Sequence, residues 1–262
     1  MMINKKTDRP ENTRTGGKRA AREVKQPTVR HPLSGLTLLY EDRDILVVDK
    51  VAGLLTMGTE SQKERTAYSR LTDYVRKGNP KSFNRIFIVH RLDRDVSGVL
   101  VFAKSGVAKK TLQDQWETAE KKYLAVVHGK LREKTGTITS YLAENAARVV
   151  FSTPDKRKGK LSHTEYRVLK ETTAFSLLEI TLLTGRKNQI RVHLADIGHP
   201  IVGDSKYGDR KRDGEFKRVA LHAWSLAFNH PFDGRRVAFE TPVPGFISRL
   251  IGGVQTSEDV EY

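Results

Sequence analysis

The stretch His90–Ser105, HRLDRDVSGVLVFAKS, carries the strongest structural signal in the chain. A polar segment that holds Asp93 between Arg91 and Arg94 runs through Ser97 and Gly98 directly into the apolar run 99–103. A short apolar run that is rich in valine and phenylalanine favours a buried strand. The sequence therefore predicts that Asp93 lies on a loop at the edge of a buried strand, where a carboxylate can react.

Outward from this stretch, predicted strands outnumber predicted helices. The spacing of Leu71, Tyr74 and Val75 indicates one helix. The apolar residues of 189–197 follow the helical period only roughly and indicate a second helix. Another begins at the N-cap Ser105, with an inward face of Val107, Ala108, Leu112, Trp116 and Ala119. The predicted strands are 37–40, 45–49, 86–89, 99–103, 123–128, 138–142, 148–152, 162–169, 176–183 and 237–239. So many strands joined by short turns predict an α+β fold with a mixed, largely antiparallel sheet and flanking helices.

The composition indicates a basic protein with a polyanionic partner. Of 262 residues 37% are hydrophobic, and 47 Lys and Arg against 31 Asp and Glu give a net charge of +16. Such a charge favours nucleic acid, because contacts to phosphates supply most of the non-specific affinity. The absence of cysteine excludes disulfides and thiolate metal sites. Because no apolar run reaches about 18 residues, we expect no membrane span and a cytoplasmic location.

The charge is concentrated at the N-terminus. Residues 1–33 contain nine Lys or Arg and three acids, a net charge of +6, with no apolar period. This composition predicts a disordered basic arm, although a passive extension fits it as well. Residues 34–252 are predicted to form the folded domain, and 253–262 a short acidic tail.

Two further segments combine basic, aromatic and glycine residues. Thr184–Gly208 reads TGRKNQIRVHLADIGHPIVGDSKYG, and Lys121–Val127 reads KKYLAVV. Taken alone, an aspartate between arginines is most often a surface ion pair, and a tyrosine in a strand most often packs in the core. His193, His199 and Asp204 also allow a metal-dependent RNA nuclease, and the charge allows a non-catalytic RNA-binding factor.

Taken together, the three segments resemble the motifs of the RluA-type pseudouridine synthases, which isomerise uridine in RNA. The matching patterns are His-Arg-Leu-Asp, Lys-x-Tyr-x-Ala-x-Val, and Gly-Arg, Gln-Ile-Arg and Gly-Asp-x-x-Tyr-Gly, in family order over roughly residues 37–245. The resemblance implies a pseudouridine synthase sheet with a central active-site cleft. It also makes residues 34–252 the catalytic domain.

The resemblance also assigns roles to individual residues. Asp93 would be the catalytic carboxylate, either as a nucleophile or as a base, and Tyr123 the active-site tyrosine. Arg191 would pair with Asp93, and we expect its guanidinium to hold that carboxylate with two parallel bonds. The resemblance further implies that Arg91 fills the space left by a flipped nucleotide, and we predict phosphate contacts from Arg94, Arg186 and Lys187.

The expected partner is RNA, with ribosomal RNA favoured over transfer RNA. The reaction requires no metal and no small-molecule cofactor, and we expect a monomer. The sequence departs from the family pattern at three positions. Val51 stands where proline is common, Val96 where threonine is usual and Asn188 where histidine is more usual. None is one of the three chemical positions, so we expect these departures to affect the details of substrate recognition.

Overall fold

The computed structural model describes residues 33–58, 65–208 and 211–252. The predicted arm, apart from Leu33, and the predicted tail therefore lie outside the described residues. The strands are β1 Leu36–Glu41, β2 Ile45–Lys50, β3 Phe87–Ile88, β4 Ser97–Ala103, β5 Glu120–His128, β6 Thr135–Glu144, β7 Val150–Thr153, β8 Lys160–Glu171, β9 Phe175–Leu182, β10 Leu221–Asn229 and β11 Arg236–Glu240. The helices are α1 Ala67–Arg76, α2 Gly106–Asp114, α3 Gln189–Asp196 and α4 Gly245–Leu250.

All the strands of the described ranges belong to one sheet. Its order is β1-β2-β4-β10-β5-β9-β8-β6-β7, with β3 added beside β4 and β11 beside β10. Strands β4 and β10 run parallel, and the other pairs are antiparallel. The predicted α+β fold with a mixed, largely antiparallel sheet is therefore confirmed.

Strands β2 and β4 lie in the middle of the core and are covered on both faces. Every residue of β4 is buried. One face packs with Leu71 and its neighbours on α1, and the other packs with Leu112 of α2. Burial on both faces explains why the sequence of β4 is continuously apolar rather than alternating.

Helix α2 begins where the sequence predicts but ends earlier. The Ser105 side chain accepts a hydrogen bond from the backbone N–H of Ala108, as an N-cap does. The helix stops at Asp114, and a 3-10 turn follows at Trp116–Thr118. The prediction that Val107 faces inward is wrong, because Val107 is 78% exposed. Consecutive helix residues point about 100° apart, so Val107 cannot share the face of Ala108 and Leu112.

The central strand β10 was not predicted. It lies between β4 and β5, and its register with β5 shifts between His222 and Ser225. Its close approach to β4 depends on Gly98, which has a φ of +117°. A Cβ atom on Gly98 would lie 2.1 Å from the carbonyl oxygen of Ala223. Glycine is therefore required where the Asp93 loop enters the sheet. Helix α4 was also missed.

Candidate active site

The loop that carries Asp93 is pinned on both sides of that residue. On one side Thr56 Oγ1 donates to the carbonyl oxygen of Leu92 at 2.8 Å and accepts from the Leu92 N–H at 3.2 Å. On the other side the Gly53 N–H donates to the carbonyl oxygen of Arg94 at 2.7 Å. Both neighbours of Asp93 are thus tied to the segment after β2, which fixes the backbone that presents the carboxylate.

A buried cation lies beneath the same loop. Lys50 is fully buried, and its Nζ donates to the carbonyl oxygens of Leu54 at 2.9 Å, Val51 at 3.1 Å and Arg94 at 3.3 Å. Burial lowers the pKa of Lys50 to about 8, against the opposing effect of nearby carboxylates that include Asp93. Lys50 was not among the predicted site residues.

His90 holds the start of the loop against the sheet. Its Nε2 accepts a hydrogen bond from the backbone N–H of Val101 at 3.2 Å, and its ring lies 4.6 Å from that of Trp116. Burial lowers the pKa of His90 to about 3, with a smaller contribution from the charge of Lys121. His90 is therefore neutral at physiological pH and acts as an acceptor that anchors the loop.

The structure brings Asp93, Tyr123 and Arg191 together around one pocket. The pocket is small and partly open to solvent. Its lining residues are Arg91, Leu92, Asp93, Val96, Tyr123, Leu182, Arg186, Asn188, Gln189, Ile190, Arg191 and Leu221. It adjoins a larger cleft, whose walls include six Lys or Arg and two acids.

The two parallel bonds of Arg191 go to Asp204 and not to Asp93. Arg191 Nε lies 2.7 Å from Asp204 Oδ2, and Nη2 lies 2.7 Å from Asp204 Oδ1. The remaining nitrogen, Nη1, lies 3.6 Å from Asp93 Oδ2. The predicted bidentate contact with Asp93 is therefore wrong. Asp204 follows α3 after a short turn and meets the guanidinium edge-on, so Arg191 reaches Asp93 only as a neighbouring charge.

Burial opposes the charge of Arg191, but Asp204, and after it Asp93, raise its pKa above the ordinary value. Both members of the pair are buried, with side-chain exposures of 5% for Arg191 and 1% for Asp204. The cation beside Asp93 is thus permanent and has one fixed orientation.

Asn188 makes the direct hydrogen bond to Asp93. Its Nδ2 donates to Asp93 Oδ2, and its Oδ1 accepts from Tyr207 Oη at 3.1 Å and from Lys206 Nζ at 3.3 Å. Asn188, one of the three departures from the family pattern, thus contacts one of the three chemical positions directly. Asn188 is buried and has a left-handed backbone at φ 52°, which asparagine tolerates better than most residues.

Tyr123 forms part of the pocket wall and of the core at the same time. It lies on β5, is half-buried, and packs against the larger apolar cluster. Burial, with the nearby charge of Asp93, raises the pKa of Tyr123 well above its ordinary value. Its hydroxyl therefore stays protonated. Tyr123 both packs against the core and lines the pocket, so the two interpretations of this residue do not exclude each other.

The four residues predicted to bind RNA are exposed and line the larger cleft. Arg94 pairs with Asp95 at 3.1 Å, and Arg91 Nη1 lies 3.5 Å from the sulfur of Met57. Lys187 bonds Glu144, and Arg186 makes its hydrogen bond to Gln189 through its backbone. Three further cleft residues were not predicted: Trp116, Lys121 and Arg148.

The residues considered as metal ligands have other partners. His193 lies 2.9 Å from Thr164 Oγ1 and 3.0 Å from Ser140 Oγ, and His199 lies 2.9 Å from the carbonyl oxygen of His128. Asp204 holds Arg191. Within the described ranges no group of three or more His, Asp or Glu side chains is arranged to hold a metal ion. In the same part of the chain, no helix is long and apolar enough to cross a membrane.

Comparisons with known proteins point to one family. The family model described as RNA pseudouridylate synthase matches residues 44–196. The RNA pseudouridine synthase YlyB of Bacillus subtilis is 38% identical over 219 residues, which cover 82% of this chain and 72% of YlyB. Ribosomal large subunit pseudouridine synthase D of Nitrosomonas europaea is 36% identical over 229 residues. Those residues cover 84% of this chain and 65% of the relative.

A solved structure shows the same fold. Human RNA pseudouridylate synthase domain containing 1 superposes with a TM-score of 0.69 at 27% identity, and the match covers 88% of this chain and 95% of the human one. The matched family segment includes the Asp93 loop, Tyr123 and Arg191. The chain belongs to the RNA pseudouridylate synthases of the RluA type, isomerases that act on uridine in RNA.

Proposed function

We propose that this chain converts a uridine of ribosomal RNA to pseudouridine, with Asp93 as the reacting carboxylate and a flipped nucleotide as the substrate form. The observation that carries the proposal is the pocket in which Asp93, Tyr123 and Arg191 meet beneath a basic cleft. A relative named for the ribosomal large subunit at 36% identity supports ribosomal RNA as the target class.

The reaction breaks the bond between the base nitrogen and the ribose, turns the base, and rejoins it through carbon 5. Enzymes that act on a base take it out of the stack, at a cost of a few kcal/mol that is smallest in loops and distorted helices. The pocket at Asp93 opens into the basic cleft, from which one extruded nucleotide would enter. Asp93 acts on the ribose either as a nucleophile at the anomeric carbon or as a base that takes the neighbouring proton.

Two side chains prepare the pocket for that step. Tyr123 offers a flat face to the uracil, and stacking on an aromatic ring contributes about 1–3 kcal/mol per base. Arg191 keeps a positive charge 3.6 Å from Asp93, which favours the ionised carboxylate when the bound base excludes water.

The basic cleft binds the phosphates on either side of the flipped nucleotide. Arg94, Arg186 and Lys187 line it together with Lys121 and Arg148. Arg91 borders both the pocket and the cleft, which supports a role in filling the gap that the flipped nucleotide leaves in the RNA stack. Residues 34–252 serve as the catalytic domain, and the N-terminal arm, with +6 of the net +16, adds phosphate contacts without reading bases.

The test is the Asp93→Asn variant, which removes the reacting carboxylate and preserves its volume. Tritium release from ribosomal RNA labelled at carbon 5 of uridine measures turnover, and carbodiimide mapping locates the pseudouridine. We expect no turnover and near-normal RNA binding. The matched control is Asp114→Asn, which changes an exposed pair with Lys110 and should behave like wild type.

Each alternative makes a different forecast in the same experiment. A non-catalytic RNA-binding factor would function fully with Asp93→Asn, and a metal-dependent nuclease would shorten the RNA in a chelator-sensitive manner. Substantial tritium release by Asp93→Asn, or pseudouridine in an RNA other than ribosomal RNA, would contradict the proposal.

A further inference from the structure

We infer that Asn188 is a positioning residue for Asp93: its carboxamide ties down one carboxylate oxygen, Oδ2, and leaves the other, Oδ1, to react with the ribose. This inference rests on the proposed function, because it concerns the same carboxylate. The sequence pattern had marked Asn188 only as a replacement for a more usual histidine.

The orientation of the Asn188 amide is determined by its neighbours. Its oxygen faces Lys206 Nζ at 3.3 Å, and an ammonium group can only donate. Tyr207 Oη lies 3.1 Å from the same oxygen. The amide oxygen must therefore point toward Lys206 and Tyr207, which leaves the NH₂ group to face Asp93. A flipped amide would place donors against the ammonium and an oxygen against the carboxylate.

The two oxygens of Asp93 have unequal surroundings. Oδ2 accepts the Asn188 bond and lies 3.6 Å from Arg191 Nη1. In the part of the chain that the structure describes, Oδ1 accepts no hydrogen bond. Since Asn188 and Arg191 both belong to the start of α3, one helix end holds Oδ2 from two directions. These two contacts hold the Asp93 side chain in one rotamer, and Oδ1 remains without a hydrogen bond from the described residues.

Burial makes this contact stronger than a surface hydrogen bond. Asn188 is 8% exposed, and a hydrogen bond to a charged group contributes more than a neutral one. The other charged or titratable groups around Asp93 include Arg191, Lys206, Lys50 and Asp95, the pocket-lining Arg91 and Arg186, and Tyr123 and Tyr207. Of these, Arg191 stays protonated at every pH used below, and both tyrosines have raised pKa values.

The experiment compares three substitutions at position 188. Asn188→Asp keeps the shape but places a second carboxylate against Asp93. Asn188→Leu removes the donor without adding charge. Asn188→His restores an N–H donor and is the residue that the family more often carries. Because position 188 has a left-handed backbone, thermal unfolding of each variant is measured first, and Tyr207→Phe, which removes one of the two donors to the Asn188 oxygen, serves as a second perturbation away from that backbone.

The first readout does not depend on RNA. Carbon-13 NMR of aspartate-labelled full-length protein, with Asp93→Asn for assignment, gives the titration midpoint of Asp93. We expect the highest midpoint in Asn188→Asp, where a second carboxylate faces Asp93, intermediate midpoints in Asn188→Leu and Tyr207→Phe, and a midpoint near that of wild type in Asn188→His. An Asp93 midpoint that is the same in all variants would overturn the inference, whatever the enzyme does to RNA.

The second readout is single-turnover tritium release as a function of pH. We expect the maximal rate of Asn188→Leu to fall about tenfold to a hundredfold with little change in RNA affinity, and the acid limb of Asn188→Asp to move to higher pH. A loss confined to RNA affinity would overturn the inference. If the NMR midpoint shifts while wild type modifies no ribosomal RNA, the contact stands and the proposed function fails.

Discussion

Replacing Asp204 with Asn should destabilise the protein and disable the site, although Asp204 does not touch the substrate pocket. The substitution preserves volume but removes the charge that Arg191 faces with two bonds of 2.7 Å. Breaking a buried ion pair on one side costs about 3–5 kcal/mol, because the remaining charge is left without compensation. The amide retains one acceptor oxygen, so we expect a loss of about 3 kcal/mol in the free energy of unfolding. Arg191 also loses its fixed orientation beside Asp93, and such misplacement costs about a hundredfold in rate.

Urea unfolding of wild type and of Asp204→Asn measures the loss in the free energy of unfolding, and single-turnover tritium release measures the loss in rate. The matched control is again Asp114→Asn, whose partner Lys110 lies four residues earlier and is 78% exposed. An exposed helix pair of this kind contributes about 0.3–0.5 kcal/mol. If Asp204→Asn lowers the free energy of unfolding no more than Asp114→Asn does, the two bonds from Arg191 to Asp204 do not stabilise the protein, and the reasoning fails.

Three further predictions concern single residues, Tyr123, Lys50 and Gly98. Tyr123→Leu should lower the single-turnover rate more than RNA affinity, since stacking acts only on the extruded base; an unchanged rate would return Tyr123 to core packing alone. Lys50 has a pKa of about 8 in the folded protein against 10.5 as its ordinary value, so the unfolded chain binds more protons between these pH values. In urea unfolding, the free energy of unfolding of wild type should therefore increase by about 3 kcal/mol relative to that of Lys50→Met as the pH rises from 8 to 10.5. Below pH 8 the difference between the two proteins should stay constant. A difference that does not change with pH between 8 and 10.5 would contradict the burial argument. Gly98→Ala should lose at least about 3 kcal/mol through its clash with Ala223, whereas Gly106→Ala, which meets nothing within 4 Å, should not destabilise the protein; equal effects of the two on urea unfolding would refute the close-approach argument.

The sequence predicted the parts of the fold that depend on local pattern. The burial of β4 follows from its continuous apolar run, and the start of α2 follows from Ser105 as an N-cap. Strand β10 could not be predicted in the same way, because its register with β5 shifts between His222 and Ser225 and interrupts the alternation. The six-residue helix α4 is too short to give a periodic signal.

The candidate site was predictable in its members but not in its pairings. Asp93, Tyr123 and Arg191 come from three separated segments, and the motif order alone places them at one pocket. The segment 197–203, which leads from α3 to Asp204, decides which carboxylate forms the two bonds with Arg191. Gly203 in this segment has a φ of +78°, and a Cβ atom at this position would lie 2.0 Å from the carbonyl oxygen of Arg218. No spacing rule encodes that close approach.

The chemistry of the site gives a reason for the observed pairing. A guanidinium that formed two parallel bonds with Asp93 would engage both of its oxygens, so that neither would be free of a charged partner when the carboxylate attacks the ribose or accepts a proton. With the fork directed at Asp204, Arg191 contributes a fixed positive charge 3.6 Å from Asp93 Oδ2, and Asn188 donates a hydrogen bond to the same oxygen. Under the proposal, orientation and reactivity then belong to different oxygens of one carboxylate. Asp204 is therefore part of the candidate site, although it does not line the pocket.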